Sequence, residues 1–390
     1  MVVYARQDPN VDRVTPTPPP IPGLANLSPP DQPEVDILSR GIQSATSPAG
    51  GLTSTQRLLL SAICMAMTGH PARLDLPAIE PDGFATALSA RTLEFRTRIV
   101  QLMVLLGLVL QPLPIDVADR IGVFAAELGV DDGMLKVASE MASGSLELAA
   151  FDFERNGYTS TWSDQDAVAL HTSGALASAW DLAPTDPVLA ERWEALEELP
   201  PGSLGRRVTE FYQARGFVYP GLPGSAPPLL AQHDWVHVLA DYGTTVESEL
   251  EVFAFIARAN DDTRAFSLLA MVVCLFETGY LRTGAGLFES SPGHLSERGM
   301  ASRLADAMRR GALCSGSIDF LRLDWFDLAH LTIPEVRERF GVPLKATDAV
   351  TAGSVGPWQT GGISAFQVRS GKALAQQQGR PYDSHGAKVV

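Results

Sequence analysis

Apolar and polar positions along most of this chain recur with the period of a helix. Apolar residues fall three and four apart through TQRLLLSAICMAMTG (55–69) and again through about 91–111, 115–129 and 132–147. Thr53 is placed to cap the first of these helices, and Pro112 and Pro114 separate the next two. Gly129 closes the following one, and Asp131 in VDDGMLKVASEMA can cap the last. No alternating strand pattern of useful length occurs. The expected fold class is therefore all-α, with two helical units and disordered termini.

The pattern fails at both ends. Residues 1–50 carry PTPPPIPG (Pro16–Gly23) and TSPAGG (Thr46–Gly51), which read as a disordered proline-rich arm. Residues 346–390, rich in glycine, serine and glutamine through QQQGRPYDSHGAKVV, read as a flexible tail. Between them, 51–160 reads as a helical bundle and 161–345 as a second helical unit. Within the latter, ERWEALEELPPGSLGRRVTEFYQARGF (Glu191–Phe217) predicts a helix, a sharp turn and another helix. The longest apolar runs, IVQLMVLLGLVL (Ile99–Leu110) and FSLLAMVVCLF (Phe266–Phe276), fall short of the roughly 20 residues that cross a bilayer, so buried helices are expected.

Charge narrows the function classes. With 45 acidic against 30 basic residues, the formal net charge of −15 repels phosphate and disfavours nucleic acid as a partner. Three cysteines, Cys64, Cys274 and Cys314, sit far apart among apolar residues, as free thiols in a reducing compartment do. The opening MVVYARQDPNVDRV lacks the apolar core of a secretory signal, so a cytoplasmic location is expected.

Candidate chemistry concentrates in HDWVHVLADYGTTVESE (His233–Glu249). On a helix, His233 and His237 share one face, close enough to hold one ion. Asp234 can ligate through a distorted helix start or orient a ligand. Glu249 would lie roughly 18 Å from His237 in one straight helix. A break at DYG (Asp241–Gly243), with Gly243 closing the first helix, removes that obstacle. A capping box of Thr244 with Glu247 would then start a second helix and fold Glu249 back. Two imidazoles with one or two carboxylates suit zinc, iron(II) or manganese better than calcium or magnesium. The HD pair also admits a phosphohydrolase reading, with His171 and Asp261 as further ligands, although HDxxH is not the spacing of that class. No motif supports a serine or cysteine nucleophile.

The stretch HDWVHVLADYGTTVESE matches the HDxxH-x11-E signature of the coenzyme Q biosynthesis protein four family. LPPGSLGRRVTEFYQARGF (Leu199–Phe217), AMRRG (Ala307–Gly311) and PEVRERFGV (Pro334–Val342) resemble other blocks of that family in the same order, so the likeness covers about residues 180–345. Short helices with DDGML between two of them make 51–160 resemble tellurite-resistance B-like bundles, with the acids of DDGM as caps rather than ligands. The coenzyme Q resemblance implies an all-helical, peripherally membrane-associated fold. It implies a zinc or other divalent ion held by His233, Asp234, His237 and Glu249, which would also be the catalytic set. The implied ligand is a polyprenyl-tailed aromatic ring, with the apolar stretches Phe253–Ala257 and Phe266–Phe276 as candidate tail-lining segments. The implied reaction is metal-dependent oxidative decarboxylation and hydroxylation at C1 of a prenylated hydroxybenzoate, in ubiquinone-type quinone biosynthesis. Other quinone-biosynthesis enzymes and a second copy of the chain are the implied protein partners. The alternative expectation is a non-catalytic scaffold that binds isoprenoid lipid and organises those enzymes.

Overall fold

The computed structural model of the 390-residue chain describes residues 29–146, 149, 185–226, 231–260, 262, 265–280 and 293–390. Regular structure among the described residues is helical, and extended backbone pairs only in two isolated bridges, Ser203 with Thr332 and Thr360 with Lys388. The all-α expectation holds. The N-terminal half comprises α1 (Gln32–Thr46), α2 (Ser54–Thr68), α3 (Pro81–Ala87), α4 (Leu93–Leu108), α5 (Ile115–Glu127) and α6 (Gly133–Ala142). Then follow α7 (Pro187–Ala195), α8 (Leu204–Arg215), α9 (Gln232–Ala240), α10 (Val246–Ala259) and α11 (Phe266–Val272). The chain closes with α12 (Met300–Ala312), α13 (Ile333–Phe340), α14 (Thr347–Thr351) and α15 (Ala365–Gln377).

Local chemistry explains the boundaries. Thr53 caps α2 through a complete box, Thr53 N donating to Gln56 Oε1 at 2.9 Å and Gln56 N to Thr53 Oγ1 at 3.2 Å. The cap of α6 is Asp132, one residue later than Asp131. Its Oδ1 accepts from Met134 N at 2.8 Å and its Oδ2 from Gln101 Nε2 at 3.0 Å, which ties α6 to α4.

The two terminal expectations need correction over residues 29–50 and 346–390, while the proline run Pro16–Gly23 lies outside the described residues. Inside the supposed arm of 1–50, α1 is a capped helix: Asp31 accepts from Glu34 N, and Val35, Leu38, Ile42 and Ala45 form a buried stripe. Proline- and glycine-rich flanks masked that short period. The supposed tail of 346–390 also folds. Ser364 and Gln367 form a capping box for α15, whose buried face is Gln367, Gly371 and Ala375. Such a face has almost no apolar signature, because it packs by closeness rather than by bulk. A Cβ on Gly371 would lie 2.5 Å from the Ala214 carbonyl oxygen of α8. Gly371→Ala is accordingly expected to destabilise the chain by about 1–3 kcal/mol, through overpacking. Urea denaturation measures this, and an unchanged midpoint would contradict the packing.

One hydrophobic cluster runs from Val35 to Val342 and draws on both predicted units. Helix α12 packs on α10 and also on α2. Tyr280 adds a polar tie, its hydroxyl donating to Leu110 O at 2.8 Å and accepting from Leu113 N at 2.5 Å. The boundary expected near residue 160 lies outside the described residues. No helix among the described residues is long and apolar enough to cross a membrane. All three cysteines are buried and free, and burial pushes the thiols of Cys64 and Cys314 up to about 12.

Candidate metal centre

Helix α9 carries His233 and His237 one turn apart, with ring centroids 5.2 Å from each other. The helix ends where Asp241 adopts the left-handed conformation, φ 65° and ψ 47°. The sequence pattern puts Gly243 at that position, but Asp241 fills it, because a short polar side chain tolerates this region. Gly243 serves a different need, since a Cβ there would meet the Cα of Gly362 at 2.8 Å. The expected Thr244–Glu247 capping box does not form either. Thr245 is the N-cap of α10, the Thr244 hydroxyl donates to Gln367 Oε1 at 2.7 Å, and Glu247 turns to His294.

The fold-back itself is present. Glu249, in the first turn of α10, has Oε2 3.6 Å from His233 Nε2 and Oε1 3.4 Å from His237 Nε2. Asp234 Oδ1 lies 3.6 Å from His233 Nε2. One ligand atom each from His233, Asp234 and His237 falls within 4.8 Å of the others. His233, Asp234 and His237 therefore form one cluster, Glu249 reaches both of its imidazoles, and a sequence separation of twelve residues becomes a contact. His171 and Asp261, the further ligands of the phosphohydrolase alternative, lie outside the described residues.

The cluster sits in a dry, aromatic setting. His237 is fully buried, Glu249 and Asp234 are 6% and 7% exposed, and His233 stands at the edge. Phe211 lies against the His237 ring at 5.7 Å and Phe253 against the His233 ring at 5.2 Å. Neither nitrogen of His237 has a hydrogen-bond partner. Glu249 at 3.4 Å is the acid facing Nε2, and a cation at that nitrogen would give the buried imidazole a stronger partner there. The donor set thus fits a divalent ion of the zinc type. Asp234 Oδ2 accepts from the Tyr212 hydroxyl at 2.6 Å, which orients the carboxylate from behind, as outer partners of metal ligands do. Burial pushes the Asp234 carboxyl up against the pull of the two imidazoles. Burial also acts to raise Glu249, but the imidazoles of His237 and His233 outweigh it and hold that carboxyl at about 2.

Neighbouring residues that sequence reasoning left without a role prove to shape the cluster. Phe211, Tyr212 and Arg215 share a face of α8 and reach His237, Asp234 and Thr244 in turn, and their signal was the one-turn spacing within TEFYQAR. Arg310 Nη2 donates to Ala240 O at 2.8 Å and Arg337 Nε to Leu239 O at 2.6 Å, so two guanidinium groups cap the C-terminus of α9. These arginines belong to AMRRG and PEVRERFGV, which gives both blocks a physical task. On its other face α9 is anchored by Trp235, stacked on Trp325 at 5.7 Å and 5°. The stretches Phe253–Ala257 and Phe266–Phe276 pack almost entirely into the core.

No family model matches the chain, and neither does any curated protein. A solved structure from Nostoc punctiforme PCC 73102, provisionally named a ubiquinone biosynthesis protein, is similar over 54% of this chain and 97% of its own. The identity is 21% and the TM-score 0.31. An overlap that slight fixes neither ligand nor activity for this chain.

A second group lies on the opposite side of the α10 start. His294 Nδ1 pairs with Glu247 Oε1 at 2.6 Å, and Glu297 stands 4.0 Å from the same nitrogen. This is a hydrogen-bonded ion pair at the surface. Burial acts to raise Glu247, but His294, Thr245 and its own backbone amide overcome this and hold it at about 2. The bond to Glu247 raises His294 against its desolvation. Glu247 contributes stability that is complete above its unfolded value and lost as pH falls toward 2. His294 contributes stability that is complete below its unfolded value and lost as pH rises through its raised folded value. With unfolded values near 4.5 and 6.5, the pair is most stabilising between those pH values. The Tm gap between wild type and Glu247→Gln should therefore peak in that window and shrink on both sides. A gap that stays flat from acid to alkali would refute the pair.

Proposed function

We propose that the chain is a metal-dependent protein of ubiquinone-type quinone biosynthesis, with His233, Asp234, His237 and Glu249 holding one divalent ion. Zinc is the expected occupant, and iron(II) and manganese suit the same donors. The observation that carries this reading is the cluster of His233, Asp234 and His237, with Glu249 against both imidazoles and no hydrogen bond at the ring nitrogens of the buried His237. A bound ion supplies a Lewis-acidic positive point against an aromatic ring carboxylate.

The proposed reaction replaces the C1–carboxyl bond of a prenylated hydroxybenzoate-like acid by C1–hydroxyl. Carbon dioxide leaves, water supplies the oxygen, and dioxygen takes the two electrons with two protons and leaves as hydrogen peroxide. The protein's own groups have definable parts in this. Phe211 and Phe253 exclude water from the imidazoles, Tyr212 fixes the direction of Asp234, and the edge position of His233 marks the side of approach. Peripheral attachment to the inner membrane face, an isoprenoid-tailed ligand and partner enzymes of the same pathway belong to this proposal.

The near-complete enclosure of Asp234, His237 and Glu249 favours a second reading, because closed coordination spheres are structural. In that reading the ion fastens a scaffold that binds isoprenoid lipid and recruits enzymes without turnover. Elemental analysis of the purified protein, joined to product analysis with a prenylated 4-hydroxybenzoate and dioxygen, separates the two. Metal with C1-hydroxylated product supports the enzyme. Metal without turnover, together with a co-purifying isoprenoid, supports the scaffold, and a protein that takes up no metal removes both.

A further inference from the structure

Residues 346–390 lie beyond the segment that resembles the coenzyme Q family, yet the turn between α9 and α10 is held from there. Gly243 N donates to Val355 O at 2.9 Å and Thr244 N to Gly362 O at 3.0 Å. The Thr244 hydroxyl donates to Gln367 Oε1 at 2.7 Å, and Gln367 Nε2 donates back to Thr244 O at 3.2 Å. Gln367 Oε1 also accepts from Ser364 N at 3.1 Å, so one oxygen serves both the start of α15 and the turn. Arg215, fully buried, closes the network from α8. Its Nε donates to Thr244 Oγ1 at 2.8 Å, and its Nη2 donates to Pro357 O and Gly362 O, each at 2.9 Å. The guanidinium lies 3.9 Å over the ring of Phe211, which in turn stacks on His237.

We infer that the C-terminal segment is a positioning element of the metal centre, in which Gln367 and Arg215 fix Thr244 and so aim α10 to place Glu249 on the histidine pair. The inference rests on the metal reading for its purpose and on the hydrogen bonds for its geometry. Glu249 is five residues past Thr244, and a register change of one residue turns a helical side chain by about 100°. A turn held from two sides therefore decides whether the carboxylate reaches the imidazoles at all. Thr244 and Gln367 touch no ligand atom of the ion; they act through the backbone, as supports behind metal ligands do.

The test uses the full-length chain with Thr244→Val, Thr244→Ser and Gln367→Leu, and two readouts. One is zinc affinity by competition, with the cobalt(II) absorption spectrum as a signature of coordination geometry. The other is amide hydrogen exchange over residues 241–250. Thr244→Val and Gln367→Leu are expected to weaken zinc binding roughly tenfold, to alter the cobalt spectrum and to speed exchange in the turn. Thr244→Ser, which keeps the hydroxyl, should stay near wild type, and the Val/Leu double variant should lose no more than the worse single one. Should Thr244→Val fail to fold, Gln367→Leu decides alone. Wild-type exchange with an unchanged spectrum in these variants overturns the inference while leaving the metal reading intact. A wild-type protein that binds no metal overturns the metal reading, and the exchange rates then decide whether the segment holds the turn.

Discussion

His237→Ala is expected to bring bound zinc to background and to weaken its affinity by more than about a hundredfold, beyond the 10–100-fold typical of losing an outer support. The reasoning is local. His237 is the most deeply buried of the four donors, both its nitrogens lack other partners, and its Nε2 faces Glu249 at 3.4 Å. Alanine deletes a ligand and leaves Glu249 with His233 as its nearest counterpart, so the Glu249 carboxyl should titrate higher. Asp234→Asn should be milder, because the amide keeps the shape beside Tyr212 and the other three donors remain. Metal bound only by the folded state adds stability by mass action. Wild type should consequently show a fall in Tm on adding chelator, and His237→Ala should show none. Elemental analysis after dialysis and calorimetry with and without chelator measure both effects. Stoichiometric zinc retained by His237→Ala would remove this residue from the ligand set.

Trp235→Ala should cost about 3–5 kcal/mol of folding stability, the usual range for truncating a buried large aromatic residue. The indole is 1% exposed, stacks on Trp325 at 5.7 Å and meets Trp193 at 5.5 Å. It projects from α9 between the two ligand-bearing positions, toward the opposite side of the helix. The stack therefore fixes where His233 and His237 stand, and metal affinity should fall together with stability. Trp235→Phe, which keeps part of the ring contact, should recover roughly half of the loss by the same volume argument. Chemical denaturation followed by near-ultraviolet circular dichroism gives the comparison. A Trp235→Ala protein with wild-type stability would mean that the aromatic stack contributes no net energy.

The chain's own text told a good deal about the site and less about its frame. The helical period, the Thr53 cap and the approach of Glu249 to His233 and His237 were all legible, because apolar spacing, cap chemistry and one-turn spacing act locally. The turn that joins the ligand helices was expected in the right place but with the wrong parts. Asp241 takes the left-handed position, and Thr244 spends its hydroxyl on Gln367, which lies 123 residues away in sequence. No local rule could find that partner. Helix α15 escaped notice for a related reason, since glutamine, glycine and alanine on its inner face give no hydrophobic stripe. Helix α1 was hidden by its flanks, although its stripe of Val35, Leu38 and Ile42 was regular.

Helix α12 joins the front and rear helices among the described residues, because it packs on both α10 and α2. A fragment trimmed to start near residue 180 would bare the flank of α12 that α2 normally covers, and such a fragment should clump rather than fold cleanly. The same arrangement puts α2 just one helix away from the element that bears Glu249.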